Sequence, residues 1–431
     1  MEKFKPTNIK GAVDTLPEVQ SLRNRVTDTL RKYFEAYGYA PIETASVNYL
    51  EILKHKYEDG AEIVREIYKI KDQGDRDLGL RFDLTVPFAK FIASNRNIKM
   101  PFRRYEIGKV WRNGPVKAGR LREFYQCDID VVGTGGQAVE AEMIALAVHA
   151  YREIGINPVI KYGNRKLLYA LIEMAGIEKS NADKVISVID KMEKITRDEL
   201  IAELVKLTSK GSAEKLLELM IIAKTDGQDG AKPKFKNDEI LKLEKALGDF
   251  GVADACEFTP NLARGLNIYT GTVWEIFDRN GGISSSLGGG GRYDDIITNW
   301  VDNGLSYPAV GMSFGLEPIM AVLKAQEAEN SLGLKLIYER VVDIMIVSMN
   351  EDKAANELAT KLRGQINMWG QPNKVLVMYD MKVGKAFEYA DKTGVGAVCV
   401  IGSKEVASGE IKLRNMQSGQ EEILQLADLI I

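Results

Sequence analysis

One stretch constrains this chain more than any other: Phe102 to Gly133, FRRYEIGKVWRNGPVKAGRLREFYQCDIDVVG. It predicts a strand, a loop and a second strand. Residues 105–112 set Tyr, Ile, Val and Trp between Gly and charged residues, a strand-like mixture. Asn113-Gly114-Pro115 is turn chemistry. Strand side chains alternate, so Phe124, Gln126, Asp128 and Asp130 share one face, and Tyr125, Cys127 and Ile129 the other. From Lys99 to Glu123 eight Lys/Arg stand against two Glu, a local charge of +6 in a chain of net charge −3. Such an excess points either to a bound polyanion or to a basic hairpin facing solvent.

The remainder of the composition narrows the classes. At 431 residues the chain is long enough for two to four domains. With 45% hydrophobic and 28% charged residues it can build sizeable cores. No apolar run approaches the ~18–20 residues of a membrane span, and MEKFKPTNIKG lacks the apolar centre of a secretory signal. Cys127, Cys256 and Cys399 are far apart and odd in number, which suits a reducing cytoplasm. His55 and His149 are the only histidines, and nothing has zinc spacing. With so little net charge, a nucleic-acid partner would have to use local basic patches.

Along the chain, residues 17–37 predict a helix, with Leu22, Val26, Leu30, Tyr33, Phe34 and Tyr37 at helical spacing and Gly38 ending it. Tyr39–Val47 predicts a strand limited by Pro41, and residues 62–70 another. Leu80–Pro87 leads into a helix that Asp83 or Thr85 can cap. A helix over 137–155 and a short strand near 158–162 follow. Residues 164–250 read as almost wholly helical, a helical insertion over about 171–254. Strand signals return at Asn267–Phe277 and Gly282–Leu287. Residues 326–340 read as a linker. The tail alternates strands (Val342–Val347, Asn373–Met378, Val395–Ile401) with helices (Asp352–Gln365, Lys382–Lys392), predicting a small α/β domain over 341–431 with a mostly parallel sheet.

The arginine, loop, arginine and F-Y-Q-C-D-I-D of the opening stretch resemble motif 2 of class II aminoacyl-tRNA synthetases, and specifically of the histidyl-tRNA synthetase family. Arg264-Gly265-Leu266-Asn267-Ile268-Tyr269-Thr270-Gly271-Thr272-Val273-Trp274-Glu275 is similar to that family's first histidine signature, and Gly290-Gly291-Arg292-Tyr293-Asp294 to its second. Ala309–Met320 is similar to motif 3. The resemblance covers nearly the whole chain. It implies an α+β fold: residues 1–325 as a six- or seven-stranded antiparallel catalytic domain with flanking helices and the insertion, then an anticodon-binding domain. It also implies that the first helix and strand are motif 1, a homodimer interface, although the same apolar face also fits plain core.

The implied reaction is activation of L-histidine by ATP with Mg2+, then transfer to tRNA(His). Such chemistry rests on positioning and on neutralising phosphate charge, for which arginine's planar fork is suited. By resemblance, Arg112 and Arg264 are the catalytic arginines at the α-phosphate and the histidine carboxylate, and Arg120 reaches the outer phosphates. Gly315 of motif 3 would line the ATP site. Asp83, Thr85 and Gln126 would accept from the histidine ammonium. Asp130 would meet one imidazole nitrogen, with Tyr269 and Tyr293 near the other and Ile268 beside them. Glu275 is the candidate magnesium carboxylate. Plainer roles exist for several: Asp83 as a helix cap, Tyr269 and Tyr293 as core aromatics, Glu275 as a salt-bridged strand residue, the glycine run as a turn. The resemblance is departed from at Ala45, where a proline is usual, at Asp83 and Asp130, where many members carry glutamate, at Gly114, near a common acidic residue, and at Pro318, in place of an arginine. Two rivals stand beside the ligase: a histidine-binding regulatory paralogue of an ATP phosphoribosyltransferase, and a synthetase-like protein charging a non-tRNA carrier. The tail and the Arg264 signature weigh against the first.

Overall fold

The computed structural model describes residues 5–55, 62–116, 119–192, 195–226, 234–262, 268–328, 340–366 and 372–425. It divides into two compact units, one of residues 1–14 and 25–333 and one of residues 15–24 and 334–431.

The first unit is built on a mixed sheet, its strands ordered β1-β5-β6-β11-β10-β9-β7-β8. After α1 (Pro17–Ala36), β1 (Ala40–Pro41) pairs parallel with β5 (Phe102–Trp111). β5 pairs antiparallel with β6 (Glu123–Val132) from Phe102↔Val132 to Trp111↔Glu123. Between β1 and β5 lie β2 (Val47–Tyr49), α2 (Leu50–Lys54), α3 (Glu62–Arg65), β3 (Lys69–Lys71), β4 (Asp77–Leu80) and α4 (Thr85–Ser94). β2, β4 and β3 form a small sheet of their own. α5 (Gln137–Ile154) follows β6 and is buried on nearly every side, from Ala141 through Val148, as expected of a helix apolar all round.

Next come β7 (Pro158–Asn164) and the helices α6 (Arg165–Met174), α7 (Ala182–Ile189), α8 (Arg197–Val205), α9 (Lys210–Thr225) and α10 (Asp238–Asp249), before β8 (Cys256–Phe258) pairs parallel with β7. Their starts carry the side-chain caps the sequence supplies: Asn164, Thr196 with Glu199 in a capping box, Ser209 and Asn237. The unit closes with β9 (Thr272–Asp278), β10 (Gly288–Arg292), α11 (Asp294–Val301), β11 (Ala309–Gly315) and α12 (Leu316–Ala328).

Several expectations are corrected here. The large sheet has eight strands among the described residues, not six or seven, because short parallel partners close both edges. Within the stretch 39–47 only Ala40–Pro41 and Val47, which opens β2, are strand, since Pro41 lacks the N–H a continuous ladder needs. Residues 62–70 are helix before strand: EIVR makes one turn and only Lys69 onward pairs. The strand expected at Gly282–Leu287 lies instead on the glycine run, Gly288–Arg292. Of the expected linker, residues 326–328 end α12, residues 329–339 fall outside the described residues, and Arg340 is described.

In the second unit β12 (Ile344–Ser348), α13 (Asp352–Arg363), β13 (Val375–Met378), α14 (Val383–Thr393), β14 (Ala397–Ile401), α15 (Ser403–Ser408), β15 (Glu410–Asn415) and β16 (Glu421–Gln425) follow in turn. The sheet order is β13-β12-β14-β15-β16. The first three strands are parallel and the last two add an antiparallel hairpin. Alternation sends Ile346, Cys399 and Ile401 to one core with α13, and Met345, Val347 and Val398 to another with α14.

Candidate active site

The large sheet buries a cluster of charges where β5, β6 and β11 lie side by side. Arg104 is fully buried, its Nη2 2.5 Å from Asp130 Oδ2 and its guanidinium 4.4 Å above the Phe88 ring. Its Nη2 also donates to the Leu84 carbonyl at 3.2 Å. Glu106, two residues on and on the same face, takes Arg81 Nη1 at 2.8 Å and the Thr44 amide and hydroxyl, each at 2.9 Å. Register sets Asp130 opposite Arg104, Asp128 opposite Glu106, and Gln126 opposite Gly108.

Burial pushes the Asp128 carboxyl up to about 7, against the attraction of Arg104. Burial raises Asp130 too, opposed by Arg104 and by the Tyr293 hydroxyl. Burial alone would weaken the Arg104 charge, but Asp130, Asp128 and Glu106 outweigh it. Asp83 bears on both aspartates as a further like charge. Around Arg104 the site thus holds more carboxylate than cation, which suits a positively charged ligand.

Glycines open the space. Asp130, Gly311 and Gly291 lie in one row across β6, β11 and β10. A β-carbon on Gly311 would lie 1.9 Å from Asp130 Oδ1, and one on Gly291 2.6 Å from the Tyr269 ring. The glycine run is therefore a strand that lets side chains lie across its face. Over that floor the Tyr293 hydroxyl donates to Asp130. Burial raises the Tyr293 phenol well above its ordinary value, and Asp130 raises it further, so it remains a donor. Gln126 Nε2 donates to Ser313 Oγ at 2.9 Å, while Gln126 Oε1 is buried without a hydrogen-bond partner. An orphaned buried acceptor beside carboxylates is a place for an N–H donor from outside the chain.

Of the residues singled out in the sequence, Gln126, Asp130, Tyr269 and Tyr293 come together here, with Ile268 and Tyr269 packed on the core around Phe88 and Tyr293. Asp83 Oδ1 accepts from the Val86 amide at 3.0 Å, so it caps α4, and Thr85 is the first residue of that helix. Arg112 donates from Nε to the Phe82 carbonyl at 2.9 Å, with its guanidinium over the Phe124 ring. Arg120 pairs with Glu66 at 3.0 Å. Gly315 stands opposite Gln126, and a β-carbon there would meet the Pro318 ring at 3.1 Å. Glu275 lies on β9 opposite Gly289 and Lys161. Among the described residues no group of three His, Cys, Asp or Glu is placed to hold a metal. Arg264 lies outside the described residues. The sequence reading missed Arg104, Glu106 and Arg81, and gave Asp128 a face but no part in the site. For Arg104 and Glu106 the signal was the alternation of β5, whose residues 104, 106, 108 and 110 are all buried.

An antiparallel-dominated sheet that carries arginines, carboxylates and a glycine strand around one buried cluster defines a class II synthetase architecture. The family profile described as histidyl-tRNA synthetase matches residues 11–319, and one described as anticodon binding domain matches residues 342–430. The chain is 40% identical over 435 residues to histidine--tRNA ligase 2 of Shouchella clausii, covering 98% of this chain and 99% of that one. It is 38% identical to histidine--tRNA ligase 1 of Bacillus cereus, over 98% and 96% of the two chains. The crystal structure of histidyl-tRNA synthetase from Nostoc sp. PCC 7120 superposes with a TM-score of 0.80 at 27% identity, over 99% and 98%. A Bacillus halodurans structure titled ATP phosphoribosyltransferase regulatory subunit/histidyl-tRNA synthetase shares the fold, with a TM-score of 0.73 at 21% identity over 93% and 100%. The chain belongs to the histidyl-tRNA synthetase family.

Proposed function

We propose that this chain is the histidine–tRNA ligase its family membership points to, working in the cytoplasm as a homodimer. The observation that carries the reading is the Asp130–Tyr293 pair over the Gly311 backbone, beside the orphaned Gln126 acceptor. An imidazole ring both donates and accepts; the Asp130 carboxylate, oriented by the Tyr293 hydroxyl and Arg104, would accept from one nitrogen, with Tyr269 near the other. A site built from buried polar groups rejects ligands that leave those groups unpaired. Gln126, Asp83 and Thr85 would receive the ammonium, with Asp128 adding negative charge behind them.

In the first step a histidine carboxylate oxygen attacks the α-phosphorus of ATP. The bond to the bridging oxygen of the β-phosphate breaks, and pyrophosphate leaves. Arg112 and Arg264 would hold the α-phosphate and the substrate carboxylate, and Arg120 the outer phosphates, with Gly315 lining the ATP site. Magnesium would arrive with the phosphates. Glu275 offers it one carboxylate, which fits an ion that keeps most of its waters. A ribose hydroxyl at the end of tRNA(His) then attacks the acyl carbon, and AMP leaves. Residues 1–325 would carry this chemistry, residues 326–340 would link, and residues 341–431 would read the anticodon.

The test is charging of tRNA(His) with each amino acid in turn. Charging with histidine alone is expected. Histidine activation without charging of any tRNA would favour a carrier-charging protein. Histidine binding with neither step would favour a regulatory paralogue.

A further inference from the structure

Gln126 reaches into the charged cluster from β6 and is only 9% exposed. Its side-chain nitrogen donates to Ser313 Oγ at 2.9 Å and faces Asp128 Oδ1 at 3.5 Å. Its oxygen is buried and has no partner among the described residues. A glutamine amide can sit either way round, and the groups it meets decide which. Here both neighbours require the nitrogen. Register sets Ser313 of β11 directly opposite Asp128, and the Ser313 hydroxyl bonds to that carboxylate and lowers it. A hydroxyl has one proton, so giving it to Asp128 leaves Ser313 only lone pairs for Gln126. An ionised carboxylate has nothing to donate either. Burial lifts Asp128 to about 7 while Arg104 and Ser313 pull the other way, and an ammonium arriving nearby favours the ionised form. The amide oxygen is thus left for a donor from outside the chain.

We propose that Ser313 is a positioning residue of the amino-acid site: together with Asp128 it holds the nitrogen of the Gln126 amide, so that the amide oxygen is presented to the ammonium of histidine. This rests on the ligase reading above, in which Gln126 receives that ammonium. Ser313 acts through Gln126 and touches no reacting atom. Without its hydroxyl, presenting the oxygen would leave a buried N–H unmet, so the amide would settle elsewhere and the ligand would have to bring it back. An orientation set in advance spares the ligand that cost.

The test measures equilibrium binding to wild type, Ser313→Ala, Ser313→Thr and Asp128→Asn. The probes are histidinol, which keeps the ammonium and imidazole but lacks the carboxylate, imidazolepropionate, which keeps the imidazole and carboxylate but lacks the ammonium, and ATP. Ser313→Ala should weaken histidinol about tenfold, the effect of one buried donor left unpaired. Asp128→Asn should weaken it at least as much, since the new amide can itself donate and the charge is gone. Ser313→Thr keeps the hydroxyl and should stay within about threefold of wild type. Imidazolepropionate and ATP should weaken by no more than about twofold in any variant. A loss shared by all three probes would make Ser313 merely structural and overturn the inference. So would an unchanged histidinol affinity in Ser313→Ala, or a Ser313→Thr variant that behaves like Ser313→Ala. If wild type binds neither histidine nor histidinol, the ligase reading fails first, and the two failures are distinct.

Discussion

The two sheets of the molecule bury different things. That of the first unit encloses Arg104, Glu106, Asp128 and Asp130, whereas that of the second encloses Met345, Ile346, Val347, Val398, Cys399 and Ile401, with Ser348 the polar member. Taking a charge out of water costs several kcal/mol even after relaxation, so a buried ionic cluster is a poor way merely to hold a sheet together. The second sheet shows that this chain can make a stable core without one. The charged cluster is best explained by what it binds. By the same reasoning the second unit, with its interior filled by apolar side chains, must meet any polar partner through its surface.

The contrast can be broken most sharply at Arg104. Arg104→Ala leaves Asp130 and Glu106 buried with their shared cation gone, and should destabilise the first unit by about 3–5 kcal/mol in denaturant unfolding. A change under about 1 kcal/mol would mean that water already reaches the cluster. Arg112→Ala should do the opposite. Arg112 is only partly buried, so the fold should survive while histidine-dependent exchange falls by ~10²–10³. Arg264→Ala should match that loss on the strength of its signature. Unimpaired exchange in either variant would remove that arginine from the site.

A smaller effect is expected at Pro318, the third residue of α12. Pro318→Arg places a cation where the sequence resemblance expects one, and should tighten ATP binding about ten- to a hundredfold by equilibrium titration. Unchanged affinity would mean that another cation already covers the outer phosphate. Smallest of all is Ile346→Val in the tail. It should cost about 0.5–1.5 kcal/mol of stability and leave exchange untouched. A parallel loss of exchange would contradict the separation of roles between the units.

How much of this was legible depended on the same distinction. The tail's parallel strands are short apolar runs between helical repeats, and all of them were readable. Its hairpin of Glu410–Asn415 and Glu421–Gln425 was not, because it is largely exposed and only Ile411 and Leu413 alternate, too short an apolar run to stand out. In the first unit the β5–β6 hairpin was plain from alternation and its turn. Arg104 and Glu106 were hidden in it, since a charged residue in a strand reads as a solvent-facing one. β10 was missed because glycine weakens a strand pattern. Its reason for being there, the close approach of Tyr269 to Gly291, is a contact between distant segments. Residues 62–70 offered both helical and strand spacing, and tertiary pairing of Lys69–Lys71 with β4 decided between them.

The central claim is that the buried cluster of β5, β6 and β11 receives histidine for activation by ATP. Histidine-dependent exchange of labelled pyrophosphate into ATP by the purified protein tests it most directly. Wild type should exchange with histidine and with no other amino acid. Asp130→Ala, which removes the carboxylate shared by Arg104 and Tyr293, should lose that dependence. Absence of exchange by wild type at saturating histidine and ATP would contradict the account, as would undiminished histidine-specific exchange by Asp130→Ala.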